Sequence, residues 1–483
     1  MFWRGVFGYL PANIVQAVVG VLTIVVFTRL LTPEQFGQYA VAFSVMTLAH
    51  VAVFTWLEAS MARFWAAQTT PDDARAHLAG TYRAALIATI LAAPVAAIAL
   101  WLWPADPALK LAVGVGLAGI PVRSIGKLVQ ERYRAAGEVR RAALLDIWMA
   151  AGGFGVGVVF ALIGWGGSAP LMGLVLAPLA ALPFVLPGEL ARGRGGVVDP
   201  KRLRAYAAYG YPIAFALALT AILASTDRFL LAHFMDEAAV GAYHAGYSLA
   251  NRTLDVMFVW LGAASGPALV MALERSGREG LREAARDQAG FFILIGLPAA
   301  VGVMLVARPL ADVLVGEALR ADAAAITPWI ALGALLSGLT SYYFGQAFTL
   351  ARKTRRLVAI MALPTIANIG LNLWLIPAYG VIGAAWATAA SFGIGMIAAI
   401  VAGRWVMPLP IPWEALARCG VASGAMALVV HALPAPGGFA ELVLKAGIGG
   451  LVYGLIALVI NAGEARDLAL RLIRTRRSGR ALA

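Results

Sequence analysis

Cationic side chains recur inside stretches that otherwise read as membrane-spanning, and their spacing points to anion chemistry. Arg123, Lys127, Gln130 and Arg134 stand four, seven and eleven residues apart, which puts all four on one helical face. A second group holds Asn251, Arg252 and Asp255, with Arg252 and Asp255 at i, i+3, close enough to neutralise each other on one helix. At about 1.5 Å per residue, Arg123 lies about 21 Å and Arg252 about 20 Å from the outer ends of their segments. A charge at a helix centre costs about 2.5–3.5 kcal/mol on insertion scales, so such residues mark functional sites by default. A guanidinium offers a planar fork to an anionic group and stays charged when desolvated, which makes Arg252 and Arg123 candidates to line a polar cavity, with Lys127 and Asn251 beside them. Each has a plain structural rival. Arg123 could pair with Asp146 and Arg252 with Asp255, while Lys127 and Arg134 could reach water along their own stems.

Other polar residues fall near segment ends. Asp227 and Arg228 lie within about 5–8 Å of the outer boundary, as does Arg29, and suit either interfacial anchoring or an outer-gate ion pair. Adjacent residues point about 100° apart, so Asp227 and Arg228 cannot serve one face. His50 stands alone mid-segment and reads as a packed neutral histidine; Glu58, near a cytoplasmic end, reads as a solvated mouth residue or a coupling carboxylate. The tenth segment offers Ser337, Thr340, Ser341, Tyr342, Tyr343 and Gln346, of which Tyr342 and Gln346 are the candidates for sugar contact. Serine and threonine there also serve helix packing. The carboxylates Asp255, Asp227, Glu58 and Asp146, in that order, are the candidates for ion coupling or gating. No histidine cluster has metal-ligand spacing and no phosphate-cradling P-loop occurs. Gly152-Gly153-Phe154-Gly155 falls within a span, where glycines allow close packing. No cofactor or metal is expected, and an H+ or Na+ gradient, or the substrate's own gradient, is the expected energy source.

The elements that position these residues are membrane helices. Of 483 residues, 61% are hydrophobic and 13% charged, against about 45–50% and about 25% in soluble domains. With a mean hydropathy of +0.81, this excludes a soluble enzyme, a disordered chain and a coiled coil. The single cysteine, Cys419, excludes an internal disulfide. Fourteen apolar segments are legible, at 5–30, 38–62, 78–103, 109–134, 142–164, 169–188, 205–233, 239–270, 287–307, 326–351, 357–376, 380–403, 414–433 and 440–462. The formal charge of +13 comes from basic residues between these segments, so it reflects topology and membrane lipid rather than nucleic acid. With the N-terminus inside, about 30 of the 38 Lys and Arg fall on the cytoplasmic side, among them Arg352, Lys353, Arg355, Arg356 and the tail from Arg466 to Arg480. Only Arg29, Lys110, Arg308, Arg320 and Lys445 fall opposite, which predicts N-in and C-in.

The chain also repeats itself. Phe36-Gly37-Gln38-Tyr39 with Phe43-Ser44 matches Val240-Gly241-Ala242-Tyr243 with Tyr247-Ser248, and Leu162-Ile163 and Gly167 match Leu375-Ile376 and Gly380. An offset near 204 spans six helices, so the halves run parallel, a transporter architecture with the substrate path between them. The expected division is 1–200 and 201–405 as two six-helix bundles, with 406–483 adding two helices and a basic tail.

At this point the chain resembles a known family. Thr28-Arg29-Leu30-Leu31-Thr32-Pro33-Glu34-Gln35-Phe36-Gly37-Gln38-Tyr39 is similar to the first-hairpin signature of Wzx-type polysaccharide flippases. Asp227-Arg228-Phe229-Leu230-Leu231 with Ala239-Val240-Gly241-Ala242-Tyr243 resembles their helix 7–8 hairpin, and Pro377-Ala378-Tyr379-Gly380-Val381-Ile382-Gly383-Ala384-Ala385 the turn before helix 12. The resemblance covers most of residues 10–405 and implies the multidrug/oligosaccharidyl-lipid/polysaccharide (MOP) superfamily. It further implies an all-α polytopic fold around a central cavity, alternating access, and transport of an undecaprenyl-diphosphate-linked oligosaccharide across a bacterial cytoplasmic (inner) membrane. Implied partners are the lipid-linked substrate and the pathway's polymerase and glycosyltransferases. Fourteen helices also resemble MurJ-type lipid II flippases. Competing readings are a MATE-type cation exporter, which favours an acidic cavity, and a membrane-bound polymerase or ligase, which needs a larger outer loop than 307–325. A scaffold without transport is the third class.

Overall fold

The computed structural model describes residues 2–351, 353–468 and 470; the basic residues Arg352 and those from 471 to Arg480 lie outside the described residues. Among the described residues, twelve helical runs are long and apolar enough to cross a bilayer. Two of them are each a pair of helices joined at a left-handed glycine, Gly277 (φ 65, ψ −153) and Gly380 (φ 59, ψ −137). The fold is therefore an all-helical membrane protein of fourteen spans, as the hydropathy pattern predicts. In chain order these are α1 (Phe2–Leu30), α2 (Pro33–Val53 and Thr55–Trp65), α3 (Pro71–Leu102), α4 (Pro107–Ala135), α5 (Val139–Leu162), α6 (Ala169–Gly193) and α7 (Pro200–Phe234). There follow α8 (237–276), α9 (278–305), α10 (Arg320–Leu339, continuing to Leu350), α11 (354–379), α12 (381–404), α13 (Trp413–Ala432) and α14 (Gly438–Val459).

The chain forms two compact units, Met1–Gly241 and Ala242–Ala483. In the first, the α1–α2 signature is a capped turn. The Thr32 hydroxyl accepts from the Gln35 amide at 3.3 Å, the Gln35 side chain accepts from the Thr32 amide at 3.1 Å, and Pro33 opens the helix. The repeated glycines have a reciprocal reason to lack a side chain. A Cβ on Gly37 would lie 1.7 Å from the Glu237 carbonyl oxygen, and one on Gly241 would lie 2.4 Å from that of Pro33. Of the α5 glycines expected to allow close packing, Gly153 does so, since a Cβ on Gly173 of α6 would meet its oxygen at 1.9 Å, whereas a Cβ on Gly155 would meet nothing within 4 Å.

α7 is seated against α2 in this same unit. Gly210 admits the Trp56 backbone, where a Cβ would stand 2.3 Å from its oxygen, and Trp56 stacks on Tyr211 with centroids 5.1 Å apart. Ser60 donates to the Tyr206 carbonyl at 3.0 Å, and the Tyr206 hydroxyl bonds His77 of α3. Further along, α3 leaves Ile90, Leu91 and Val95 exposed, an apolar stretch suited to lipid.

In the second unit, α8, α9 and α10 meet through aromatic rings. Phe258 stacks between Phe292 and Tyr342, at 6.0 and 6.2 Å, over Gly338, where a Cβ would clash with the Phe258 ring at 2.3 Å. α10 is interrupted by a π-helical turn, Thr340–Phe344. The last helix is tied to this group, because the Tyr453 hydroxyl of α14 donates to the Leu294 carbonyl of α9 at 2.7 Å. The connection 307–325 carries a short helix, Ala307–Leu314, and leaves no room for a folded domain.

Candidate functional site

The N-terminal unit holds a polar cluster on α2 and α4. His50 Nε2 lies 2.8 Å from Oε1 of Glu58, and His50 Nδ1 lies 3.2 Å from the Ser124 hydroxyl. The approach to Glu58 is close but poorly aligned, since Oε1 has no geometrically satisfactory hydrogen-bond donor. Both side chains are largely enclosed, at 11% and 14% exposure. His50 is therefore not alone, and Glu58 is not a solvated mouth residue. The sequence missed the pair because its members stand eight residues apart, about 12 Å along a straight helix, and the interruption at Phe54 was not legible.

Arg123, next to Ser124, is half-buried and lies within electrostatic reach of Glu58 and Tyr39. The rival pairing with Asp146 is not formed. Arg134 takes Asp146 instead, with Nη2 2.9 Å from Oδ2, and Gln130 donates to Oδ1 of the same carboxylate at 2.8 Å. Arg134, expected to run freely to water, is thus an ion-pair partner that also reaches Glu131 at 2.8 Å. The four-residue face divides into Gln130 and Arg134, engaged by α5, and Arg123 and Lys127, which make no ion pair within 4 Å among the described residues.

Asp227 and Arg228 are both buried, at 1% and 7%, so they do not anchor at an open interface; Arg228 donates to the Ala224 carbonyl. Arg29 is exposed and donates to the Val25 carbonyl at 2.6 Å.

A network absent from the sequence reading lies nearer the basic loops. Arg132 grips Glu189 of α6 through two bonds, Nε to Oε2 at 2.9 Å and Nη2 to Oε1 at 2.5 Å, and also bonds Glu138. Partial burial pushes the Glu138 carboxyl up, but the hydrogen bonds from Arg141 and Arg132 prevail and hold it below the usual glutamate range. The available signal was Glu189 itself, one acidic residue just past the apolar run of α6; the helix continues to Gly193 and buries it completely.

The C-terminal unit carries its own polar group. Arg252 and Asp255 are exposed on α8, Asn251 and Tyr342 are partly buried, and Gln346 follows one turn beyond Tyr342. Arg252 and Asp255 form no ion pair within 4 Å among the described residues, so the neutralising pair expected at i, i+3 is not made. Asp255 instead lies within electrostatic reach of the Tyr342 hydroxyl. Tyr343, the neighbour of Tyr342, turns away and donates to the Pro410 carbonyl at 2.7 Å, a structural contact.

Comparison with known proteins supports the fold. The sequence profile of a family described as "polysaccharide biosynthesis protein" matches residues 26–321. No curated protein matches the chain. Among solved structures, the inward closed conformation of the lipid II flippase MurJ superposes with a TM-score of 0.77 at 14% identity, covering 95% of this chain and 99% of that one. An inward-facing multidrug resistance MATE transporter of the MOP superfamily gives 0.62 at 14% identity, with 80% and 97% covered. A MOP superfamily transporter from Pyrococcus furiosus, described as having a binding pocket of reversed polarity, gives 0.52 at 15% identity, with 83% and 92% covered. These likenesses establish the fold, and the profile match covers well over half of the chain. The chain belongs to the polysaccharide biosynthesis protein family and has the multi-pass membrane fold that MurJ and MATE structures share.

Proposed function

We propose that the protein is a flippase that carries an undecaprenyl-diphosphate-linked oligosaccharide repeat unit from the cytoplasmic to the outer leaflet of a bacterial cytoplasmic membrane. A charged, hydroxyl-rich head must cross a low-dielectric layer while its polyprenyl tail stays in lipid. The observation that carries this reading is Arg123, a half-buried guanidinium within a membrane span with no ion-pair partner within 4 Å among the described residues. A cation there without a direct ion pair is retained at a cost that an anionic substrate would offset. Arg252 supplies the same chemistry from α8, with Lys127, Asn251, Arg228 and Arg29 as further contacts to phosphate or sugar. Tyr342 and Gln346 present a ring face and an amide to glycan. Glu58, Asp255, Asp227 and Asp146 are the proposed coupling or gating carboxylates. In this reading residues 1–200 and 201–405 act as the two repeats of an alternating-access cycle, with 406–483 as an added helix pair. Glycosyltransferases supply the substrate and a polymerase consumes it.

A second reading, a lipid II-type flippase, is favoured by the fourteen spans and the likeness to MurJ. Reconstituted vesicles separate the two. Protein in liposomes loaded with fluorescent undecaprenyl-diphosphate oligosaccharide should make the glycan accessible to an impermeant lectin, without ATP. Faster movement of lipid II than of a repeat unit would favour the second reading, and movement of neither would refute both.

A further inference from the structure

The groove between α5 and α6 in the N-terminal unit has one cationic end and one aromatic end. It encloses about 560 Å³. Arg141 and Arg192 line one end, with Leu144, Gly188, Trp148 and Phe184 beyond them. On α6, Arg192, Gly188 and Phe184 follow at four-residue intervals, so the groove runs along about two turns, or about 12 Å. Both helices are long enough to cross a membrane, and Phe184 at the apolar end is 87% exposed.

The charges at the cationic end do not cancel. Arg192 bonds Glu189 at 2.8 Å and Arg141 bonds Glu138 at 2.6 Å, each through one guanidinium nitrogen. Both carboxylates are also held by the buried Arg132, whose guanidinium rests 4.3 Å from the Tyr133 ring centroid. Three guanidinium groups thus share two carboxylates, and one positive charge is left over. That charge sits on Arg141 and Arg192, whose side chains are 60% and 45% exposed and keep donors pointing outward.

The geometry points to a binding site for an anionic phospholipid, its phosphodiester between Arg141 and Arg192 and an acyl chain along Leu144, Trp148 and Phe184. A monoanionic phosphate on a long alkyl chain complements one excess positive charge above an exposed apolar trough. A zwitterionic lipid brings its own cation and gains less. The site shares no residue with the proposed substrate contacts and does not depend on the proposed substrate.

Purified protein in detergent, mixed separately with phosphatidylglycerol, phosphatidylethanolamine and inorganic phosphate, is read by native mass spectrometry. Phosphatidylglycerol should be retained over phosphatidylethanolamine, and inorganic phosphate should not be retained. The double variant Arg141→Ala, Arg192→Ala should lose roughly tenfold or more of that retention. Gly188→Trp should do the same with every charge in place, because a Cβ at Gly188 meets nothing within 4 Å and the indole would fill the trough. Should the arginine variant fail to fold, the Gly188 variant still decides. Equal retention of the two lipids, undiminished retention in Gly188→Trp, retention of inorganic phosphate as strong as that of lipid, or a dimer in place of the lipid adduct would each overturn the assignment.

Discussion

His50 and Glu58 meet across a break in their own helix, with Nε2 and Oε1 2.8 Å apart on either side of Phe54. Ser124 and Arg123 of α4 face the pair, and Tyr39 lies near Arg123. On α7, which packs on α2, Tyr211 stacks on Trp56 and the Tyr206 carbonyl accepts from Ser60, two residues to either side of Glu58. A carboxylate that an imidazole and a guanidinium both reach can exchange partners when it takes a proton. Glu58→Gln should therefore lower transport stimulated by a proton gradient by about tenfold, within the usual range of coupling energies, while leaving glycan binding intact. His50→Gln should lower it less. Gradient-stimulated transport in Glu58→Gln at the native rate would remove this pair from the coupling mechanism.

Arg252 and Asp255 share a helix face without pairing. If Arg252 serves the substrate, the double variant Arg252→Ala, Asp255→Ala should insert and remain monodisperse, yet move no lipid-linked glycan. Arg252→Lys should also be impaired, because an ammonium lacks the bidentate fork. Transport restored in the double variant would mark the two as a balancing pair, since removing both members of such a pair often has little net effect.

Arg132 and Glu189 are enclosed together, at 2% and 0% side-chain exposure. Glu189→Ala leaves a buried guanidinium short of its main partner and should lower stability by about 3–5 kcal/mol. Arg132→Leu with Glu189→Leu should recover much of that loss, measured by thermal unfolding in detergent. The neighbouring Glu138 has a depressed folded-state pKa. Its contribution to stability is therefore present above the unfolded glutamate value of about 4.3 and is lost as pH falls through the lower folded value. The melting temperature should fall in that acid range for the native protein and fall less for Glu138→Gln.

Reporter fusions after Arg194, Arg278 and Lys353 should signal cytoplasm, and fusions near Asp106, Glu237 and Glu317 should signal the outside. A cytoplasmic signal at Glu317, which lies just before α10, would break the expected alternation.

Hydropathy by itself determined the class of fold, because each span must hydrogen-bond its own backbone and therefore needs a contiguous apolar run. The fourteen spans, the turn at Gly380 and the tight hairpin at Thr32-Pro33 follow from local sequence, since each is settled within a few residues, whereas the join at Gly277 emerged only from the structure. The match of Gly37 with Gly241 could be read along the chain, although only the structure gave the two their shared reason, a backbone oxygen where a Cβ would stand. Partner choice among the charges was decided by tertiary packing. Helical spacing placed Arg123 and Arg134 on one face of α4, but which of them meets Asp146 depends on how far along α4 the start of α5 docks. The same holds for Glu58, whose position near a span end suggested water until the break at Phe54 folded it toward His50. Spacing along one helix fixes direction, whereas an ion pair needs two groups within about 4 Å. Only the packing of one helix on another, or a break within one, sets that distance.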